Sequence, residues 1–80
     1  MWYVYLLQSE GFARERYVGL ATDLKKRLAQ HNAGKSPHTS KFMPWRLVTY
    51  VAFSDRQKAE SFEYYIKSGS GHAFAKKRLW

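Results

Sequence analysis

The fold is decided by two short apolar runs near the start of the chain, Trp2-Tyr3-Val4-Tyr5-Leu6-Leu7 and Arg16-Tyr17-Val18-Gly19-Leu20. Both runs are rich in aromatic and β-branched residues and contain no proline, which is typical of strands. Because side chains alternate along a strand, Tyr3, Tyr5 and Leu7 face away from the even-numbered residues of the first run. The polar, glycine-containing segment between the runs predicts a turn, and the two strands are therefore expected to form an antiparallel hairpin.

A helix is predicted directly after the hairpin. Residues 24–32 carry leucines at helical spacing, and Ala33-Gly34 ends the pattern. Thr22 is a suitable N-cap, with Asp23 as an acidic residue in the first turn. Residues 34–44 then form a loop that is longer than most connections in a small domain, and we expect this loop to be mobile.

The second half of the chain predicts one strand and two helices. Trp45–Phe53 is apolar and β-branched, and we expect it to pair beside the hairpin. Ser54-Asp55-Arg56-Gln57 has the form of a capping box, so a helix begins near Asp55, with Ser54 as its N-cap, and ends at residue 69. A last short helix is predicted from residue 71 or 72 towards the C-terminus, with Ser70 as its cap.

These elements predict a fold of the α/β (α+β) class, in which a small three-stranded antiparallel sheet is flanked by three helices. Eighty residues are too few for two independent cores, so residues 1–80 are expected to form one domain. We expect helices to cover one face of the sheet, with the other elements packed around its edges.

The composition favours a polyanionic partner. Fourteen lysines and arginines against six acidic residues give a net charge of +8, which is typical of proteins that bind nucleic acid. The chain has no cysteine, which excludes a disulfide scaffold, a thiolate zinc site and a cysteine nucleophile. No apolar run approaches the length of a membrane span and no signal peptide is apparent. We therefore expect a cytoplasmic monomer with no membrane partner.

One carboxylate occupies an apolar position in the helix that begins near residue 55. Ala59, Phe62, Glu63 and Ile66 lie on a single stripe at helical spacing. Burying an unpaired carboxylate is costly, so Glu63 must reach a rim, pair with a cation or bind a metal. An ion pair with Lys67, four residues further on, is the purely structural alternative.

Four other side chains are candidates for chemistry: Tyr5, Tyr17, Arg27 and His31. Taken singly, each has a structural explanation, because strand tyrosines mostly pack in cores and an arginine and a histidine one turn apart suit a solvated helix flank. Their joint occurrence with Glu63 favours a functional site.

At these positions the chain resembles the GIY-YIG endonuclease superfamily, and in particular its small bacterial members, which are similar to the catalytic domain of the excision-repair incision nuclease. Tyr3-Val4-Tyr5 matches the first signature, with Tyr3 in place of the usual glycine, and Tyr17-Val18-Gly19 matches the second. Arg27, His31 and Glu63 fall where the family keeps its catalytic arginine, a common histidine and its metal-binding glutamate. The resemblance covers nearly the whole chain.

Two positions depart from the pattern. Some relatives carry a lysine just after the second signature and an asparagine beyond the glutamate, whereas this chain has Leu20 and no asparagine after Glu63. The phosphate contacts of those two residues are therefore missing. The chain also lacks a separate DNA-recognition domain, which favours recognition of backbone shape over a long specific sequence.

The resemblance implies a metal-dependent DNA endonuclease that hydrolyses phosphodiester bonds in branched, damaged or distorted DNA, as in DNA repair. Glu63 would hold one Mg²⁺ or Mn²⁺ ion, and Arg27 would stabilise charge on the phosphate. Tyr17 or Tyr5 would act on the attacking water, which requires a phenol pKa well below its ordinary value of about 10. His31 would assist as a proton acceptor or hydrogen-bond partner.

The alternative function is a non-catalytic nucleic-acid-binding module with the same fold. Both functions require cationic side chains on the surface, and for both functions RNA is an alternative to DNA as the nucleic acid. The residues expected to contact phosphates lie in the predicted first helix, in the long loop and near the C-terminus: Lys25, Lys26, Lys35, Lys41, Lys76, Lys77 and Arg78.

Overall fold

The most apolar run of the chain forms the central strand of the fold. A computed structural model describes all 80 residues. It contains a three-stranded antiparallel sheet in which β1 (Trp2–Ser9) lies between β2 (Arg16–Ala21) and β3 (Trp45–Phe53). The central position of β1 explains its composition, because a central strand of this sheet is buried on both faces. The predicted sheet is confirmed.

The hairpin register places the two signature motifs side by side. Tyr5 lies opposite Gly19 of β2 on one side and opposite Tyr50 of β3 on the other. The pairing of β1 with β3 is irregular between Leu6 and Leu7, where one strand bulges.

Three helices complete the fold: α1 (Leu24–Asn32), α2 (Arg56–Lys67) and α3 (Gly69–Arg78). A single 3-10 turn, Ser40–Phe42, lies in the loop before β3. The three-helix, three-stranded α+β architecture predicted from the sequence is confirmed, and α1 and β3 have the predicted bounds.

The predicted caps are each displaced by one or two residues. Asp23, and not Thr22, caps α1 by accepting a hydrogen bond from the Lys26 backbone N–H. Asp55, and not Ser54, caps α2 in the same way through the Gln57 N–H. A carboxylate makes a charge-assisted hydrogen bond to these N–H groups, which a hydroxyl does not.

The third helix also begins earlier than predicted, at Gly69 instead of residue 71 or 72, and its N-cap is Ser68, not Ser70. The helix follows α2 with no intervening loop. The reason is close packing at Gly71, where a Cβ atom would overlap the carbonyl group of Tyr65 near the end of α2.

Helices cover both faces of the sheet, so the expectation that they cover one face is wrong. Val4 and Leu6 pack against α2 and α3, together with Ala59, Ile66 and Ala75. On the opposite face, Tyr5 and Leu7 pack with Trp45 and with the leucines of α1. The chain can cover both faces because α1 precedes β3 while α2 and α3 follow it.

The middle of the loop between α1 and β3 is built into the core. Thr39 is buried, and its carbonyl accepts a hydrogen bond of 2.8 Å from the Trp45 indole N–H. The Ser9 hydroxyl donates a bond to the Phe42 carbonyl at 2.7 Å. These contacts attach the loop to β1 and β3, in contrast to the mobile loop that we expected from the sequence.

None of the helices combines the length and the apolar character that crossing a membrane requires.

Candidate active site

Tyr5 lies at the centre of the candidate site, between the sheet and α1. Its side chain is only 1% exposed. The ring fits there because Gly19, its cross-strand neighbour, has no side chain: a Cβ atom at Gly19 would overlap the Tyr5 hydroxyl and ring. The glycine of the second signature therefore makes room for the tyrosine of the first.

Arg27 reaches this tyrosine from α1. Its Nε–H donates to the Tyr5 hydroxyl at 3.3 Å, and one Nη1–H donates to Oε1 of Gln30 at 3.1 Å. The hydrogen bond with Tyr5 raises the pKa of the Arg27 guanidinium above its ordinary value. Arg27 is half-buried, so the guanidinium is held from one side and open to solvent on the other.

His31 lies one turn further along α1 and is completely buried. Its Nε2 is 2.9 Å from the Tyr5 hydroxyl, and its Nδ1 is 2.7 Å from the Thr39 hydroxyl. Burial lowers the pKa of the imidazole, and the nearby positive charge of Arg27 lowers it further. The ring is therefore neutral at neutral pH, and it supports Tyr5 from behind.

Tyr17 closes the cluster from β2. Its ring centre lies 5.0 Å from that of His31 and 6.2 Å from that of Tyr5. Tyr17 is half-buried, in contrast to the other two side chains. Two layers result: Tyr5 and His31 lie inside, and Tyr17 and Arg27 lie at the surface.

The burial of Tyr5 separates the roles of the two tyrosines. Burial raises the pKa of the Tyr5 phenol, and the hydrogen bond from Arg27 opposes this effect without reversing it. A general base needs a lowered pKa and access to water, and Tyr5 has neither. Tyr17 is half-buried and has the access to solvent that Tyr5 and His31 lack.

Glu63 occupies an apolar stripe of α2, and it both reaches a partly exposed rim and pairs with a cation. Its carboxylate Oε2 accepts a hydrogen bond of 3.0 Å from the Lys67 ammonium, and the Glu63 side chain is 23% exposed. Burial is the main cause that raises the pKa of the Tyr5 phenol, and the negative charge of Glu63 contributes to the same increase. The carboxylate is therefore at a rim and ion-paired, on α2, which packs against the sheet face opposite Tyr5.

Glu63 is the metal ligand that the sequence predicts. The structure contains no group of three or more His, Cys, Asp or Glu side chains that could hold a metal ion. A site with one carboxylate suits Mg²⁺, which usually keeps several waters and binds through one or two carboxylates plus substrate phosphate oxygens. Glu63 is partly exposed, and it is the residue that would hold such an ion.

Comparison with known proteins identifies the family of this chain. A family model described as the GIY-YIG catalytic domain matches residues 1–77. This chain belongs to the GIY-YIG family. The resemblance seen in Tyr3-Val4-Tyr5 and Tyr17-Val18-Gly19 is confirmed, and the family is one of nuclease domains that act on nucleic acid.

Several similar proteins carry the name UPF0213. Relatives from Lacticaseibacillus paracasei and Cupriavidus pinatubonensis are 40% and 39% identical over 57 and 67 residues, and these matches cover 70% and 82% of this chain. The matched regions span 64% and 72% of the length of those two relatives. A relative from Streptococcus pyogenes serotype M3 is 41% identical over 66 residues, which cover 81% of this chain and 70% of the relative.

A solved structure has the same architecture. The solution NMR structure of a UPF0213 protein from Bacillus halodurans superposes with a TM-score of 0.56 at 32% identity, covering 95% of this chain and 81% of that chain. The GIY-YIG fold predicted from the sequence is thereby confirmed.

The predicted phosphate-contacting residues of this GIY-YIG chain are all exposed, but they do not form one surface. Lys26 shares a cavity of about 350 Å³ with Arg27, beside the site. Lys25 lines a different cavity, of about 540 Å³, together with Tyr50 of β3. The other predicted contacts are exposed in the loop before β3, Lys35 and Lys41, and in the last turn of α3, Lys76, Lys77 and Arg78.

Two contributors to the GIY-YIG site are new. Gln30 holds one arm of Arg27, and Thr39 holds His31. Gln30 lies three residues after Arg27 on the same helix face, so helical spacing was a signal for it. Thr39 lies in an irregular loop, and no periodic pattern could have indicated that its hydroxyl enters the core.

Proposed function

We propose that this GIY-YIG protein is a metal-dependent endonuclease that hydrolyses phosphodiester bonds in DNA. The observation that carries the proposal is the two-layer cluster: a buried pair, Tyr5 and His31, supports an outward-facing pair, Arg27 and Tyr17. A cluster with a purely structural role would not need to hold a guanidinium and a phenol at the surface through buried, neutral partners.

Arg27 is suited to stabilise the charge that accumulates on a phosphate. Of its five N–H donors, one is used by Tyr5 and one by Gln30. The remaining three are available to the non-bridging oxygens of a phosphate, and the fixed side chain needs little reorganisation to reach them.

Tyr17 is placed to orient the attacking water, or to accept its proton, because it is the phenol of the cluster with access to solvent. Glu63 would hold a single Mg²⁺ or Mn²⁺ ion, which supplies polarisation of the phosphate and of the leaving oxygen when it is bound. That ion would compete with the Lys67 ammonium for the Glu63 carboxylate, of which Oε2 is paired with Lys67.

The outward-facing groups suit phosphates better than base edges. Arg27 and Lys26 lie in one cavity, and both are typical phosphate ligands. We therefore propose recognition of backbone shape, with branched, damaged or otherwise distorted DNA as the substrate class. DNA repair is the process that such a substrate implies, and RNA is the competing substrate.

The test compares the wild type with Glu63→Gln and Glu60→Gln on duplex, flap and junction DNAs and on a matching RNA, with and without Mg²⁺. Glu60 is a matched control because it also lies on α2 and pairs with a cation four residues away, Arg56. We expect Glu63→Gln to lose cleavage but to keep DNA binding, and Glu60→Gln to retain both.

The second candidate function is a non-catalytic nucleic-acid-binding module, and the ion pair between Glu63 and Lys67 favours it. In that case the carboxylate serves only to pair a cation on the helix surface. Binding without cleavage by the wild type under all conditions would decide for this alternative, whereas cleavage by Glu63→Gln at the wild-type rate would remove Glu63 from the catalytic site.

A further inference from the structure

Thr39 connects the loop before β3 to the buried layer of the site. Its side chain is 1% exposed, and its hydroxyl lies 2.7 Å from Nδ1 of His31. Its carbonyl group is held independently by the Trp45 indole N–H at 2.8 Å. The position of the hydroxyl is therefore set by the core and not by the surface of the loop.

The hydrogen bonds of Tyr5 determine which group donates and which accepts along the hydrogen-bonded chain from Arg27 to Thr39. Arg27 has no acceptor, so its Nε–H donates to the Tyr5 oxygen. The Tyr5 hydroxyl proton then needs an acceptor, and the only other polar atom bonded to it is Nε2 of His31. An imidazole that accepts at Nε2 while neutral carries its proton on Nδ1. The Nδ1–H of His31 consequently donates to the Thr39 hydroxyl.

We propose that Thr39 is a positioning residue that holds His31 in the Nδ1–H tautomer and, through Tyr5, fixes the orientation of the Arg27 guanidinium. The kinetic consequence rests on the proposed nuclease function, but the tautomer does not. Without an acceptor at Thr39, the Nδ1–H would be an unpaired buried donor, and the histidine would favour the other tautomer. Nε2 would then donate, and the Tyr5 hydroxyl would lose its acceptor.

The loop that contains Thr39 also carries Lys35 and Lys41, both exposed. A phosphate bound by these lysines would therefore act on the same loop that sets the histidine tautomer. The geometry gives this loop a direct route to Arg27 through three hydrogen bonds, those of Thr39 with His31, His31 with Tyr5, and Tyr5 with Arg27.

The decisive measurement is the ¹⁵N NMR spectrum of the His31 ring in the wild-type protein, in Thr39→Ser and in Thr39→Val. Serine keeps the hydroxyl, whereas valine has nearly the same shape without it. We expect the Nδ1–H tautomer in the wild type and in Thr39→Ser, and the Nε2–H tautomer in Thr39→Val. We also expect faster exchange of the Arg27 Nε proton in Thr39→Val. An Nε2–H tautomer in the wild type overturns the proposal even if Thr39→Val does not fold.

Cleavage of a flap DNA with Mg²⁺ tests the consequence for catalysis. For Thr39→Val we expect kcat to fall by about tenfold with little change in KM, and Thr39→Ser to restore it, because only the preorganisation of Arg27 changes. A Thr39→Val variant with the wild-type kcat overturns the positioning role. If no variant cleaves DNA, including the wild type, the nuclease proposal fails while the NMR result still decides the role of Thr39.

Discussion

Tyr5 and Tyr17 are the same residue type in one cluster, yet the fold gives them different surroundings. Tyr5 is buried and bonded to both Arg27 and His31, while Tyr17 is half-exposed. We expect Tyr17→Phe to lower kcat by about 100-fold and to change the free energy of unfolding by less than about 0.5 kcal/mol. Tyr5→Phe should cost about 1–3 kcal/mol, because it leaves buried partners unpaired.

Cleavage kinetics and urea unfolding on the two variants check this prediction together. A Tyr17→Phe variant that is active but unstable, or a Tyr5→Phe variant that is as stable as the wild type, would contradict the division into an outer and an inner layer.

His31 gives the stability of the protein a specific dependence on pH. Burial, followed by the charge of Arg27, lowers the pKa of its imidazole in the folded state, while an unfolded histidine has a pKa of about 6.5. The unfolded state therefore binds the proton more readily, so this contribution to stability is complete above about pH 6.5. It is lost as the pH falls from there towards the pKa of the folded state.

Urea unfolding at pH 7.5 and pH 5.5 measures this dependence. We expect the wild type to lose more stability between the two values than His31→Gln does. His38 and His72 are exposed, so His38→Gln and His72→Gln should keep the wild-type dependence. The same loss in His31→Gln as in the wild type would show that His31 is not the group responsible.

At the scale of elements, the β1–β2 hairpin depends on a position in β2 that has no side chain. Gly19 faces Tyr5, and an added Cβ atom would overlap the tyrosine. We expect Gly19→Ala to destabilise the protein by about 1–3 kcal/mol, through overpacking. Cleavage should also fall, because a displaced Tyr5 would displace Arg27, to which it is hydrogen-bonded.

Gly11, in the turn of the same hairpin, is the matched control, because a Cβ atom there would meet nothing within 4 Å. Gly11→Ala should leave the unfolding midpoint and cleavage nearly unchanged. Equal effects of the two substitutions would mean that the hairpin backbone, and not the space around Tyr5, is responsible.

At the scale of the whole molecule, the net charge is +8, and the predicted phosphate contacts lie partly on α1 and partly on α3, which pack against opposite faces of the sheet. The site lies on the α1 side, whereas α3 packs on the opposite face and carries three cations in its last turn. If DNA contacts these cations, changing Lys76, Lys77 and Arg78 together to Gln should reduce the slope of log affinity against log salt by up to about 3, roughly one unit for each phosphate.

Anisotropy titrations of one labelled flap DNA from low to high salt measure that slope. The control is a triple substitution of exposed cations that were not predicted to contact DNA: Arg14, Arg46 and Lys58. An unchanged slope in the α3 variant would restrict the binding surface to the α1 face of the sheet.

The local elements of this protein follow from its sequence. Alternation in the first run predicts β1 and its two faces, and leucine spacing with a glycine stop predicts α1, because both patterns depend on neighbours along the chain. The resemblance to the GIY-YIG family singled out the signature tyrosines, Arg27 and Glu63, and the predicted strands and helices placed them on β1, β2, α1 and α2. The helix caps were displaced by a residue or two, since adjacent serine, threonine and aspartate side chains compete for the same N–H groups.

Only the tertiary structure decided which members of the site face outward. The sequence left open which tyrosine is buried, and the structure buries Tyr5 beneath α1 while Tyr17 keeps access to solvent. It left open the partner of Glu63, which is Lys67 at a partly exposed rim. It contained no signal for the contact of Thr39 with His31, because burial and hydrogen bonding between a loop and a helix depend on how distant segments pack, and no local periodicity records that packing.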